Sequence, residues 1–162
     1  MLKNKKTFKI NKSNIKLYIS ESVFKPTATT SFLFRDAAKF INKKMDILDL
    51  GCGSGVIAIL ANKLQQNKKK IYASDVSSKA IQYAKKNLDM HKCDFELKKG
   101  SLFKPWNNKK FDLIINDVSG ISETLAKKST WFRNVPCRTG LDGTDLTLKV
   151  INSSKLYLNL KG

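Results

Sequence analysis

Four acidic or amide side chains and a run of glycines stand where a sheet-based fold would gather them: Asp49, Asp75, Asn116 and Asp117, with Gly51, Gly53 and Gly55. Asp49-Leu50-Gly51-Cys52-Gly53-Ser54-Gly55 follows an apolar run (Met45, Ile47, Leu48) and opens another from Val56 to Leu60. That order reads as strand, glycine-rich turn, helix. Such a turn lets a ligand lie against bare backbone at a helix N-terminus. Its plain alternative is a tight turn that only packs a helix onto a strand. The spacing selects among ligands, because the dinucleotide fingerprint G-x-G-x-x-G requires a glycine where Val56 stands. Asp75 closes the next apolar run, 20 residues after Gly55, where a carboxylate accepts both hydroxyls of a ribose. The alternative for Asp75 is an acid that complements the dipole of the helix behind Ser77.

The elements that must carry these residues are legible from periodicity. Residues 1–25 read as a β-rich lead-in, with Phe8, Ile10, Ile15, Leu17 and Ile19 at the period of a half-buried strand and turn chemistry from Asn11 to Asn14. Pro26 ends it, and residues 26–162 form the second unit. Thr29 or Thr30 is the predicted cap of a helix reaching Phe40 or Ile41. Strands are predicted at Ile47–Leu50, Ile71–Val76, Phe95–Leu97 and Phe111–Asn116. Helices are predicted from Ser54 to about Gln65, after Ser77 or Ser78, from Ser122 to about Lys128, and from about Asp145 to Leu158. Strands alternating with helices predict an α/β fold, a doubly wound parallel sheet whose ligands sit beyond the carboxyl ends of the strands.

The acidic-x-G-x-G-x-G turn resembles the first motif of class I S-adenosylmethionine methyltransferases, which have a Rossmann-like sheet. Gly100-Ser101-Leu102-Phe103, Phe111 to Asn116 and the loop Gly140-Leu141-Asp142-Gly143-Thr144-Asp145 resemble the HemK/PrmC-type branch. Pro26-Thr27-Ala28-Thr29-Thr30 resembles its P-x-x-x-T segment. The resemblance implies S-adenosyl-L-methionine as cofactor. Gly51, Gly53, Gly55, Asp49 and Cys52 would surround its amino-acid end and ribose, and Asp75 and Val76 would hold the nucleoside. Ser101 and Leu102 would meet the adenine, and Thr30 and Asn116 would complete the wall. Asn116 and Asp117 are the implied catalytic residues. The branch places N-P-P-Y after this strand; here Asn116 keeps the amide, Asp117 and Val118 replace both prolines, and Ser119 replaces the aromatic. Asp117 is thereby able to take a proton, pair with a cationic amine, or cap a helix. Trp131 and Phe132 are candidates for the missing aromatic platform, or anchors of a long loop. Arg133 and Arg138 are candidates for holding an anionic group.

The resemblance implies methyl transfer to nitrogen, with a protein side-chain amide or amino group of the translation machinery favoured. An RNA or DNA base, or a cofactor-binding module without turnover, are the other readings. The chain ends at Lys161-Gly162, where relatives continue into further strands, so the sheet is expected to lack its C-terminal strands. The edge beside the fourth strand would then be covered by the N-terminal strands or by a partner copy in a homodimer, or the chain is a truncated product.

Composition narrows the setting. The chain has 162 residues, 41% of them apolar, and a net charge of +18. Lysines would neutralise phosphates, which suggests a nucleic acid or ribosome partner. Yet 28 lysines, three arginines and 13 asparagines are also what an AT-rich genome writes into all its proteins. No apolar run has the length of a membrane span. Cys52, Cys93 and Cys137 are widely spaced, and His91 is a single histidine. Neither a disulfide framework nor a metal site is predicted, and a reducing cytoplasm is the expected location. His91 is expected to be solvated, and Cys52 and Cys137 to be packing residues.

Overall fold

Ile47–Leu50 forms β3, buried along its whole length at the centre of the molecule. The computed structural model describes residues 4–66, 69–132, 135–160 and 162, and of Trp131 the backbone alone. Arg133 lies outside the described residues. The hairpin β1 (Lys5–Ile10) and β2 (Ser13–Tyr18) comes first, then α1 (Ala28–Ala37). β3 is followed by α2 (Val56–Leu64), β4 (Ile71–Asp75), α3 (Ser78–Met90) and β5 (Phe95–Lys99). β6 (Leu113–Asn116), α4 (Glu123–Lys128) and α5 (Asp145–Ser154) complete the chain, with short 3-10 turns at Lys104–Trp106 and Thr130–Phe132.

The sheet order is β5-β4-β3-β6, all parallel. Winding proceeds outward from β3 to β5, then reverses to place β6 on the other side. The reversal opens a crevice between the tips of β3 and β6, the position where such sheets take ligands. Side chains alternate across β3. Ile47 joins a core with Ile71, Ala73, Ile115 and the apolar face of α2. Leu48 and Leu50 join the opposite core with Trp106, Phe111 and Val150 of α5. Each such aliphatic side chain contributes about 1.5–3 kcal/mol on full burial.

The hairpin forms its own two-stranded sheet, in register from Lys5 opposite Tyr18 to Ile10 opposite Ser13. Asn11 turns it with φ +53, a conformation asparagine tolerates. Ile10, Ile15 and Leu17 pack with Phe34 of α1 onto the α2 side of the main sheet. The hairpin therefore does not cover the free edge of β6, contrary to one expectation. Just before β6, Phe111 makes an isolated parallel bridge with Leu158.

Several boundaries move for local reasons. Thr27, not Thr29 or Thr30, caps α1, because Thr27 and Thr30 form a reciprocal capping box. The helix stops at Ala37. Gly55, at φ +78, is the N-cap of α2. β6 begins at Leu113 because Phe111 is drawn to the C-terminal segment, with Phe111 N–H donating to Tyr157 O at 2.8 Å. α5 ends at Ser154, which frees Leu158 for that bridge.

A charged knot ties the amino ends of the strands. Asp46 accepts from Lys69 at 2.7 Å and Lys109 at 2.8 Å, while its N–H donates to Asp112 at 2.8 Å. Burial pushes the Asp46 carboxyl up, but the bonds from Lys109 and Lys69 outweigh it and hold it below its ordinary value. The pairs are part exposed, so Asp46→Ala is expected to cost about 1 kcal/mol, read as a lower midpoint in urea. The folded pKa is depressed, so this contribution is present above the unfolded value of 3.8. It fades as pH falls toward the folded pKa.

Candidate functional site

The glycine turn sits at the carboxyl tip of β3 and is clamped from beneath. Gly51 N–H and Cys52 N–H both donate to Ser74 O, each at 2.9 Å. Ser74 is fixed in turn by Trp106, whose indole N–H donates to its Oγ at 2.9 Å. Gly51 adopts φ +78, and a Cβ there would stand 2.9 Å from Val118 Cγ1. Gly53 adopts φ +52 with nothing within 4 Å of where a Cβ would be. The first glycine lets two strand tips approach; the second leaves backbone bare. Gly51→Ala is therefore expected to destabilise the fold by about 1–3 kcal/mol through left-handed backbone and contact together. The double variant with Val118→Ala should recover the contact part, as measured by denaturation.

Beyond the turn lies a cavity of about 700 Å³. Of the predicted site residues, Thr30, Asp49, Gly51, Cys52, Gly53, Asp75, Val76, Ser101, Leu102 and Asp117 line it. Gly55 is set back, within hydrogen-bond reach of Cys52 O (N–H donating, 2.7 Å) and against Ala84 of α3. Asn116 also stands outside the wall; its Oδ1 is buried and has no hydrogen-bond partner among the described residues.

Asp75 is held by two backbone donors, Gly53 N–H to Oδ2 at 2.9 Å and Ser77 N–H to Oδ1 at 2.8 Å. Each oxygen keeps a lone pair for a ligand. Burial raises its pKa, and the N–H groups of Ser77, Gly53 and Val76 oppose the rise. Asp49 is almost wholly buried. Its Oδ2 accepts from Ala58 N–H at 3.0 Å, and its Oδ1 has no partner among the described residues. Burial first, then the nearby charges of Asp117 and Asp75, push it up to about 8, against the pull of the Ala58 N–H. Thr30 Oγ1 donates to Asp117 Oδ2 at 3.3 Å. Asp117 is reached by solvent through the cavity, but the protein packed round it raises its carboxyl above the ordinary value.

The roof comes from segments distant in sequence. Phe24 and Phe132 meet with ring centroids 5.2 Å apart at 46°, and both line the cavity with Pro26, Pro136 and Arg138. The loop behind Phe132 is stapled to the β6 exit, where Cys137 Sγ lies 3.4 Å from Ser119 Oγ and Thr139 Oγ1 donates to Ile121 O. Phe24 escaped the sequence reading because it follows the last alternating residue, Ile19, and carries no periodic signal. Its position two residues before Pro26 is the only local cue. His91 is not simply solvated; its Nε2 lies 2.7 Å from Lys16 O of the hairpin.

A family profile described as a methyltransferase domain matches residues 41–148. The chain belongs to the methyltransferase domain family. This methyltransferase domain is 31% identical over 125 residues to a ribosomal protein L11 methyltransferase of Thermosipho africanus, covering 77% of the chain and 45% of that protein. It is 29% identical over 149 residues to a release factor glutamine methyltransferase of Geobacter sulfurreducens, covering 89% and 52%. The chain thus spans about half the length of the curated relatives it matches. Among solved structures it superposes on a ribosomal protein L11 methylase from Lactobacillus delbrueckii subsp. bulgaricus, with TM-score 0.62, 25% identity, and 86% and 59% coverage. A T. thermophilus 16S rRNA methyltransferase superposes with TM-score 0.71 at 13% identity, over 96% of this chain and 39% of that one, a likeness of fold alone. No helix among the described residues is long and apolar enough to cross a membrane.

Proposed function

We propose that this methyltransferase domain binds S-adenosylmethionine across the tips of β3 and β4 and transfers its methyl group to a nitrogen acceptor. The observation that carries the reading is the unpartnered, buried Oδ1 of Asp49 beside Asp75 and the bare backbone of Gly53. An orphaned carboxylate oxygen is costly unless a donor arrives, and the ammonium of the cofactor's amino-acid end is such a donor. When bound, the cofactor supplies an electrophilic methyl on a sulfonium. Asp75 accepts the ribose hydroxyls. Val76, Ser101 and Leu102 border the adenine, Cys52 and Gly53 line the amino-acid end, and Gly51 and Gly55 shape the turn that holds it. Thr30 orients Asp117 at the acceptor side. This chain's contribution to rate is in-line positioning within the cavity.

Carboxylates, not cations, dominate the crevice, which disfavours a pyrophosphate and hence NAD. Calorimetry with S-adenosylmethionine against NAD tests this directly; heat with NAD alone refutes the reading. The favoured acceptor is an amide or amino group of a protein in the translation machinery, supported by the relatives named for ribosomal protein L11 and release factor. A base in RNA or DNA is the competing acceptor. Incubation with methyl-labelled cofactor and cell extract separates them by whether label follows protein or nucleic acid.

One observation favours a second reading, a cofactor-binding module without turnover. Asn116, the amide expected to hold the acceptor, stands outside the cavity wall. Cofactor binding with no labelled macromolecule would support the module. A second copy of the chain covering the β6 edge is the proposed assembly, since open sheet edges attract pairing. Sedimentation at micromolar concentration tests it.

A further inference from the structure

The first 20 residues hold six lysines and no acid; all 13 acidic residues lie from Glu21 onward. The hairpin sorts these lysines by face. Ile10, Ile15 and Leu17 turn inward, so the outer face carries Lys5, Thr7 and Lys9 beside Asn14, Lys16 and Tyr18. Register sets them in three cross-strand pairs: Lys5 with Tyr18, Thr7 with Lys16, Lys9 with Asn14. Every pair joins one cation to one neutral hydroxyl or amide, and successive pairs stand about 7 Å apart. All but Tyr18 are exposed. α3 adds a cation at one end. Lys86 Nζ lies 3.8 Å from the centre of the Tyr18 ring, and Lys5 Nζ lies 4.8 Å from it. Among the described residues no ion pair neutralises Lys5, Lys9, Lys16 or Lys86. Asp89, one turn beyond Lys86, is taken by Lys85 at 2.9 Å. Two ammonium groups on one ring repel each other, and an anion placed between them removes that cost.

We propose that the outer face of the hairpin docks a single strand of RNA by its phosphates. Lys5, Lys16 and Lys9 alternate between β1 and β2 along the hairpin, a line of charge that one backbone follows, and Lys86 extends it. The arrangement carries the inference, not the net charge of the whole chain. A protein partner calls for an apolar or aromatic centre poor in lysine, whereas this face covers its one aromatic ring with two cations. Nucleic acid interfaces are polar and strongly basic. The hydroxyls of Thr7 and Tyr18 and the amide of Asn14 lie between the cations and both donate and accept. That is what a ribose 2′-hydroxyl requires, and it selects RNA over DNA. None of the six residues on this face lines the cavity, so the surface is distinct from the methyl-transfer site. It is also close to that site. Tyr18 stands four residues before Ser22, a residue of the cavity wall, a chain length of at most about 14 Å. RNA held on the hairpin therefore lies beside the crevice, whichever atom receives the methyl group.

The test is fluorescence anisotropy of a labelled oligouridylate, about 12 nucleotides long, titrated with the full chain. No cofactor is added, so the outcome stands apart from the methyl-transfer reading. With about four phosphates engaged, log affinity is expected to fall with log salt at a slope of about −3. Two triple variants lose the same charge. One carries Lys5→Gln, Lys9→Gln and Lys16→Gln. The control carries Lys104→Gln, Lys149→Gln and Lys155→Gln, exposed lysines on segments that pack against the opposite side of the main sheet. The hairpin triple is expected to weaken binding at least about tenfold and to reduce the salt slope by about 2, with the control changed by less than about threefold. Oligodeoxyuridylate of the same length is expected to bind at least about threefold more weakly than the RNA. Equal losses in the two triples would assign the binding to bulk charge and overturn the proposal. So would an unaltered hairpin triple, no binding by the wild-type chain at micromolar concentration, equal affinity for the DNA, or displacement of the RNA by an equal concentration of polyglutamate of the same charge.

Discussion

Asp75→Ala is expected to lower affinity for S-adenosylhomocysteine by about 100-fold or more, measured by titration calorimetry. Two charge-assisted hydrogen bonds to ribose hydroxyls, at about 1.5–3 kcal/mol each, account for that loss. The side chain is already aimed. Gly53 N–H and Ser77 N–H fix one oxygen each, so little ordering cost falls on the ligand. Alanine also strips both N–H groups of their acceptor, and thermal unfolding separates that cost from the binding loss. Asp75→Asn keeps the shape but turns one oxygen into a donor facing a backbone donor, so it should fall between wild type and alanine. An alanine variant that binds within threefold of wild type would show that no ribose rests on this carboxylate.

Affinity for the same ligand is expected to pass through a maximum near pH 8. Asp49 has its pKa pushed up to about 8 in the free chain. A ligand ammonium on its free oxygen favours the ionised form, so binding below pH 8 releases a proton. Affinity then falls as pH drops, approaching tenfold per unit. Above pH 8 the ligand's own α-amino group, with a pKa of about 8, loses the charge that makes the contact. Calorimetry at pH 7 in two buffers of different ionisation enthalpy reads the proton directly, and a value near zero would refute the contact. Stability moves the other way. The folded pKa lies above the unfolded value of 3.8, so the fold holds a proton that the unfolded chain has lost. Stability falls as pH rises between the two values, by roughly 6 kcal/mol in total, and is level above pH 8. Asp49→Asn should abolish that slope.

The glycine-turn end of the candidate site was legible because its constraints are local. A glycine turn behind an apolar run and an acid closing the next run need only neighbours in sequence, and Asp49, Gly53 and Asp75 do meet at one cavity. The parallel, doubly wound character of the sheet followed from alternation of strand and helix. What escaped depends on long-range packing. The roof joins Phe24 to Phe132 across more than a hundred residues, and no periodicity marks either. The α1 cap shifted to Thr27 because three threonines near one another compete for the same role, and reciprocal bonding with Thr30 decides among them. Asn116 matches a motif by position yet is not part of the cavity wall, whereas Asp117, one residue on and past the end of β6, is.

Asn87 on α3 binds two distant segments of the chain through three hydrogen bonds of one carboxamide. Its Oδ1 accepts from Tyr18 N–H at 2.7 Å, and its Nδ2 donates to Tyr18 O at 3.0 Å and Ser54 O at 2.9 Å. Ser54 belongs to the glycine turn, and Tyr18 ends the hairpin. The turn thus reaches its final shape only once segments 69 and 33 residues from Asn87 have both arrived. The β3–β6 pairing, with Ile47 opposite Leu113, closes a loop of much the same length. The floor of the crevice and its rim therefore both rest on contacts far apart in sequence, and a change on the buried face of α3, remote from any ligand, reaches the turn through Asn87.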